Sequence, residues 1–95
     1  MQTTLKTYVI ERPLPGAGKL SGQDLEGLAT KSNKVLRDLG PDIQWVHSYV
    51  TGDKIYCIYR AKDADIVREH ARCGGFPAEV INLAATVIDP TTGAN

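Results

Sequence analysis

Ile43-Gln44-Trp45-Val46-His47-Ser48-Tyr49-Val50-Thr51-Gly52-Asp53-Lys54-Ile55-Tyr56-Cys57-Ile58-Tyr59-Arg60-Ala61 reads as two strand-like runs, Ile43 to Val50 and Lys54 to Ala61, on either side of a turn. β-Branched and aromatic residues dominate both runs, and Gly52-Asp53 is expected to supply the positive φ angles of a tight hairpin. Setting Thr51 opposite Lys54 pairs Val50 with Ile55, Tyr49 with Tyr56, Ser48 with Cys57 and His47 with Ile58. Paired residues share a face and neighbours along a strand alternate. One face therefore carries Trp45, His47, Tyr49, Tyr56, Ile58 and Arg60, and the other carries Val46, Ser48, Val50, Ile55, Cys57 and Tyr59. The second set is smaller and more apolar, and it is assigned to the core. A single bulge would move part of one strand to the opposite face.

Working outward, Leu25, Leu28, Ala29, Ser32, Val35, Leu36 and Leu39 recur at helical spacing upstream of the hairpin. Ser21 with Asp24 three residues on marks the start of that helix, and Gly40-Pro41 marks its end. Before it, Leu5 to Arg12 reads as a strand halted by Pro13, and Pro13 to Lys19 as a loop. Downstream, Asp63 to Cys73 forms a second helix with Ile66, Val67, His70 and Ala71 on one side, closed by Gly74-Gly75 with Pro77 beyond. Val80 to Ile88 reads as a last strand with Ile81, Leu83, Ala85 and Val87 on one face, and Thr91 to Asn95 as a loose tail.

Strand, helix, strand, strand, helix, strand is the split βαββαβ arrangement of ferredoxin-like folds. The chain is thus expected to be α+β, with two helices covering one face of a four-stranded antiparallel sheet, as one domain over residues 1–95. The other sheet face would leave aromatic residues bare, so a second copy is expected to cover it in a dimeric α/β-barrel-type homodimer.

Eleven basic and eleven acidic residues cancel, which leaves no electrostatic footprint for nucleic acid or an anionic membrane. The sequence contains neither a membrane-length apolar run nor a secretory leader pattern, so a cytoplasmic location is expected. Cys57 and Cys73 show no zinc-type spacing and are expected as free thiols. Gly16-Ala17-Gly18-Lys19-Leu20-Ser21 is not a phosphate loop, because Pro13 stands where the first glycine belongs and Leu20 separates Lys19 from Ser21.

Chemistry is concentrated between Trp45 and His70, where both histidines and three of the four tyrosines lie. His70 on the inward side of the second helix suits a metal ligand or proton shuttle, and equally a buried, hydrogen-bonded histidine. Cys57, Ser48 and Tyr59 fall in the same inner layer, whereas His47 falls on the outer face. In the first strand Tyr8 with Ile10 and Val9 with Glu11 are comparable inward sets, so either Glu11 or Arg12 faces the site.

Tyr8-Val9-Ile10-Glu11-Arg12, Trp45 to Val50, Asp53 to Tyr59, Arg68-Glu69-His70-Ala71 and Gly75-Phe76-Pro77 together resemble the small bacterial nickel-binding, ferredoxin-like domains, over nearly the whole chain. The resemblance implies a dimeric α/β sandwich or barrel and binding of nickel(II), for which His70, Cys57, His47 and Glu11 are the candidate ligands in this sequence. Imidazole suits Ni(II), and a thiolate or carboxylate with water completes such a site. Tyr8, Ser48 and Tyr59 would line the adjoining pocket. Two other readings stand beside it. One is a dimeric α/β-barrel cyclase, isomerase or cofactor-free monooxygenase acting on a small organic molecule, with His70 as general acid/base and Tyr59 or Tyr8 orienting it. The other is an interaction module whose aromatic face makes only a dimer.

Overall fold

The computed structural model describes residues 4–78 and 80–93. Its elements are β1 (Lys6–Pro13), α1 (Gly22–Leu39), β2 (Ile43–Val50), β3 (Lys54–Ala61), α2 (Ala64–Gly74) and β4 (Val80–Leu83). The strands pair antiparallel in the order β2-β3-β1-β4. This is the expected α+β arrangement, with both helices on one face.

Local chemistry accounts for the helix ends. The Ser21 hydroxyl accepts the Asp24 N–H at 3.1 Å, and the Asp24 carboxylate accepts the Ser21 N–H at 3.1 Å. Two N–H groups that the helix itself leaves unpaired are satisfied by this reciprocal pair. Gly40, at φ 87°, ends α1. Asp63 caps α2 by accepting the Ile66 N–H at 3.0 Å.

The core lies between helices and sheet. Tyr8 and Ile10 of β1, Ile43 of β2, and Cys57, Tyr59 and Ala61 of β3 pack on Val67 of α2, with Leu36 and Leu39 of α1 alongside. Tyr8 stands opposite Tyr59 and Ile10 opposite Cys57, so the Tyr8, Ile10, Arg12 side of β1 faces inward.

Three sequence expectations are corrected. First, β2 carries a bulge between Trp45 and His47: His47 pairs with Ile58 as expected, but Trp45 pairs with Tyr59. The extra residue, Val46, is 49% exposed. Trp45 therefore moves to the inner layer and Val46 leaves it. Second, β4 stops at Leu83 instead of running to Ile88. Leu83 is already opposite Tyr8 and the Ala84 N–H donates to Thr7, so the chain soon passes the start of β1. Val87 and Ile88 consequently stand open to water. Beyond them Pro90–Gly93 forms a single 3-10 turn tied by the Asp89 carboxylate, and the rest of the expected loose tail, residues 94 and 95, lies outside the described residues. Third, Gly52 has no positive φ. The turn is instead held by the loop after β1: Gly18 N–H donates to the Gly52 carbonyl at 3.0 Å, and Leu14 N–H to that of Asp53 at 2.8 Å.

The loop after β1 thus clasps the hairpin turn. A Cβ at Gly18 would stand 3.1 Å from Gly52 Cα and 3.2 Å from the Thr51 oxygen, whereas a Cβ at Gly27 of α1 meets open space. Opposite outcomes follow for one chemical change. Gly18→Ala is expected to destabilise by about 1 kcal/mol or more, since backbone must shift. Gly27→Ala is expected to stabilise by about 1 kcal/mol, by helix propensity. Urea unfolding midpoints with unchanged slope check both signs.

Candidate functional site

A cavity of about 390 Å³ opens between α1, the sheet and the loop after α2. Helix α1 contributes Leu25, Leu28, Ala29 and Ser32, the sheet contributes Arg12, Trp45, Ser48, Ile55, Cys57 and Tyr59, and the loop contributes Gly75, Phe76 and Pro77. The bulge matters here. It turns Trp45 inward, where its indole N–H donates to the Ser48 hydroxyl at 2.9 Å.

Arg12 is 5% exposed, although it is charged. Its Nε donates to Cys57 Sγ at 3.4 Å and its Nη1 to the Pro77 carbonyl at 2.6 Å, while Nη2 has no partner among the described residues. Its guanidinium lies 5.5 Å from the Phe76 ring and 5.9 Å from the Tyr59 ring, within cation–π range. Burial chiefly raises the Tyr59 pKa, with Cys57 adding to it and Arg12 and Ser32 opposing.

His70 is wholly buried. Its Nε2 is 3.1 Å from the Ser32 hydroxyl, and its Nδ1 has no partner among the described residues. Its ring stacks on Phe76 at 5.5 Å and tilts against Tyr59 at 5.2 Å. Burial, seconded by the positive charge of Arg12, lowers its pKa to about 4, with Ser32 acting the other way. It is a neutral imidazole near pH 7. It does not line the cavity, so the acid/base role considered for it lacks contact with anything bound there.

The end of α2 fixes Phe76. Gly75 takes φ 68°, its N–H donates to Arg72 and the Phe76 N–H to Ala71 at 2.9 Å, a Schellman motif. Gly74 has a second purpose: a Cβ there would lie 2.2 Å from the Phe76 ring. Only a residue lacking Cβ lets the ring fold back over the helix end.

The candidate nickel ligands do not converge within one subunit. Cys57 and His70 lie in the inner layer with Arg12. Glu11 faces the other side of the sheet, paired with Lys54 at 3.0 Å. His47 is exposed on that same outer side, its ring edge-on to Tyr49 at 5.0 Å. Among the described residues no group of three or more His, Cys, Asp and Glu side chains is arranged to hold a metal ion. The inner pair does not suit nickel for a further reason: a dication beside a buried guanidinium is repelled through a poorly screening interior. Of the expected pocket residues, Ser48 and Tyr59 line the cavity, and Tyr8 packs in the core instead.

Sequence reasoning assigned no site role to Ser32, Phe76 or Trp45. Ser32 carried a signal, being a hydroxyl on the otherwise apolar stripe of α1, and so did Phe76, the single phenylalanine, directly after Gly74-Gly75.

With this geometry in place the relatives become informative. A family profile described as "Nickel responsive protein SCO4226-like" matches residues 8–83. The chain belongs to this family. Among solved structures, SCO4226 from Streptomyces coelicolor A3(2) superposes with a TM-score of 0.73 at 14% identity, over 86% of this chain and 99% of that one. At that identity the likeness shows the shared fold. No curated protein matches.

The buried imidazole couples stability to pH. Folded, His70 takes up a proton only near pH 4, whereas unfolded it does so near 6.5. Between those values the unfolded state holds more protons, so stability falls as pH drops through the window, by about 3 kcal/mol from this group. His70→Gln, which does not titrate, is expected to be less stable than wild type at pH 7. Its deficit should shrink toward pH 4.5 in urea unfolding, and a deficit independent of pH would refute the assignment.

Proposed function

We propose that this chain is a cytoplasmic, homodimeric nickel(II)-binding protein whose subunits meet through the open sheet face, with His47 supplying the accessible ligand. The observation that carries the reading is the exposed His47 imidazole within an apolar patch. On that face one cross-strand row runs His47, Ile58, Val9, Asn82, and the next runs Tyr49, Tyr56, Glu11, Val80. Tyr49 is 59% exposed and Val80 38%. Apolar side chains in a contiguous patch favour burial against a partner, and a two-fold pairing presents the same patch from both copies.

The nickel-responsive description of the family supports the choice of metal. Two His47 imidazoles from a symmetric pair, with water in the open positions, form a donor set that Ni(II) accepts. Glu11 lies on the same face and becomes available once Lys54 releases it. Two features support the cytoplasm: Cys57 and Cys73 are free thiols, and no described helix is long and apolar enough to cross a membrane.

Calorimetric nickel titration and sedimentation velocity on four proteins test the reading. Wild type is expected to sediment as a dimer and bind nickel. Ile58→Glu, which places a charge in the patch, should be monomeric and lose binding, and His47→Ala should weaken binding by about tenfold or more, as loss of a ligand does. His70→Gln should bind as wild type does. Nickel binding that survives His47→Ala but not His70→Gln would place the metal inside and overturn the proposal.

A further inference from the structure

We propose that the cavity between α1 and the sheet is a binding site for a small organic acid, an apolar body bearing one carboxylate that meets Arg12. Three observations lead there. Among the residues that line the cavity, Arg12 is the single charged one, and most of the others are aliphatic or aromatic. Among the described residues the guanidinium donates to the Cys57 sulfur and the Pro77 carbonyl, neither of them a carboxylate. Among the described residues its Nη2 has no acceptor and no carboxylate pairs with it.

A cation removed from water without a counter-charge is unfavourable, and a carboxylate supplied by a ligand relieves it with a charge-assisted hydrogen bond. Nη2 is closed to solvent, so its engagement by a carboxylate requires a local shift of the groups around the guanidinium, among which the Phe76 and Tyr59 rings lie at 5.5 Å and 5.9 Å. The volume, about 390 Å³, is at the small end for organic ligands. One ring with a short acidic side chain is of the right size class. Leu25, Leu28 and Ala29 of α1 and Trp45 and Ile55 of the sheet would enclose its apolar part. Ser32 and Ser48 offer hydroxyls to a second polar atom. The same charge excludes amines.

The site does not depend on the nickel reading, because its residues lie on the opposite side of the sheet from His47 and Ile58. Trp45 is the single tryptophan and lines the cavity, so its fluorescence reports occupancy. Wild type is titrated with hydrocinnamate, with hydrocinnamyl alcohol and with the corresponding amine. Saturable change with the acid is expected, about tenfold or more tighter than with the alcohol, since the charge-assisted bond is lost in the alcohol. The amine should give none. Arg12→Met should abolish the preference for acid over alcohol. Should that variant fail to fold, Ala29→Phe fills the cavity from α1 and is expected to weaken acid and alcohol alike. His47→Ala should bind the acid unchanged whether or not it has lost nickel. Equal affinity for acid and alcohol, or acid binding undiminished in Ala29→Phe, would overturn the proposal.

Discussion

The inner side of the sheet is organised around a guanidinium that has left water with no described carboxylate beside it. Arg12 is held by a sulfur, a carbonyl and two aromatic faces. These partners are positioned by two elements: Cys57 and Tyr59 by β3, Pro77 and Phe76 by the loop after α2. Because low-dielectric surroundings let a charge act at a distance, Arg12 also shapes the titration of its neighbours. It helps to keep His70 neutral. The same field makes the interior hospitable to an anion and hostile to a dication. Electrostatics, more than the inventory of histidine and cysteine, decides which chemistry this interior can host.

The sheet therefore separates two kinds of surface. Its inner face offers an enclosed apolar space with one positive charge, and its outer face an open apolar patch with an imidazole at one edge strand. The two histidines illustrate the division. His70 is packed between Tyr59 and Phe76 and bonded to Ser32, so its contribution is to packing and to the pH dependence of folding. His47 touches Tyr49 and is otherwise accessible. Membership of a nickel-responsive family directs attention to histidine, and exposure selects which histidine a metal from solution would meet first.

Much of the fold was legible because the decisive signals are local. Ser21 and Asp24 are three residues apart and bond each other, Gly40 and Gly75 end their helices, and the hairpin pairing from Val50–Ile55 to His47–Ile58 follows from the turn alone. The misread features depend on remote partners. No glycine or proline marks Val46 as a bulge, so nothing in β2 itself reveals that Trp45 turns inward. The end of β4 depends on where β1 begins, more than seventy residues earlier in the chain. Alternation in β1 left Glu11 and Arg12 equivalent, and only its register with β3, Ile10 against Cys57, distinguishes them. The ligand set was the least legible part. Residue types propose ligands, but whether they share a face, and which charge lies behind them, is a property of the assembled sheet.

Phe76 connects these features. Gly74 leaves room for its ring and Gly75 turns the chain to put it there, so the stop signal of α2 also builds a wall of the cavity. That ring lies against Arg12 on the cavity side, against His70 within the core, and 5.6 Å from the Lys31 amine of α1. A single aromatic ring thus meets two cations and one imidazole, and its quadrupole favours the cations while its bulk shields the imidazole. Moving it to admit a ligand would loosen the packing on His70 at the same time as it freed the guanidinium. One side chain therefore borders both the cavity and the buried His70, and the glycine pair that ends α2 is what puts it there.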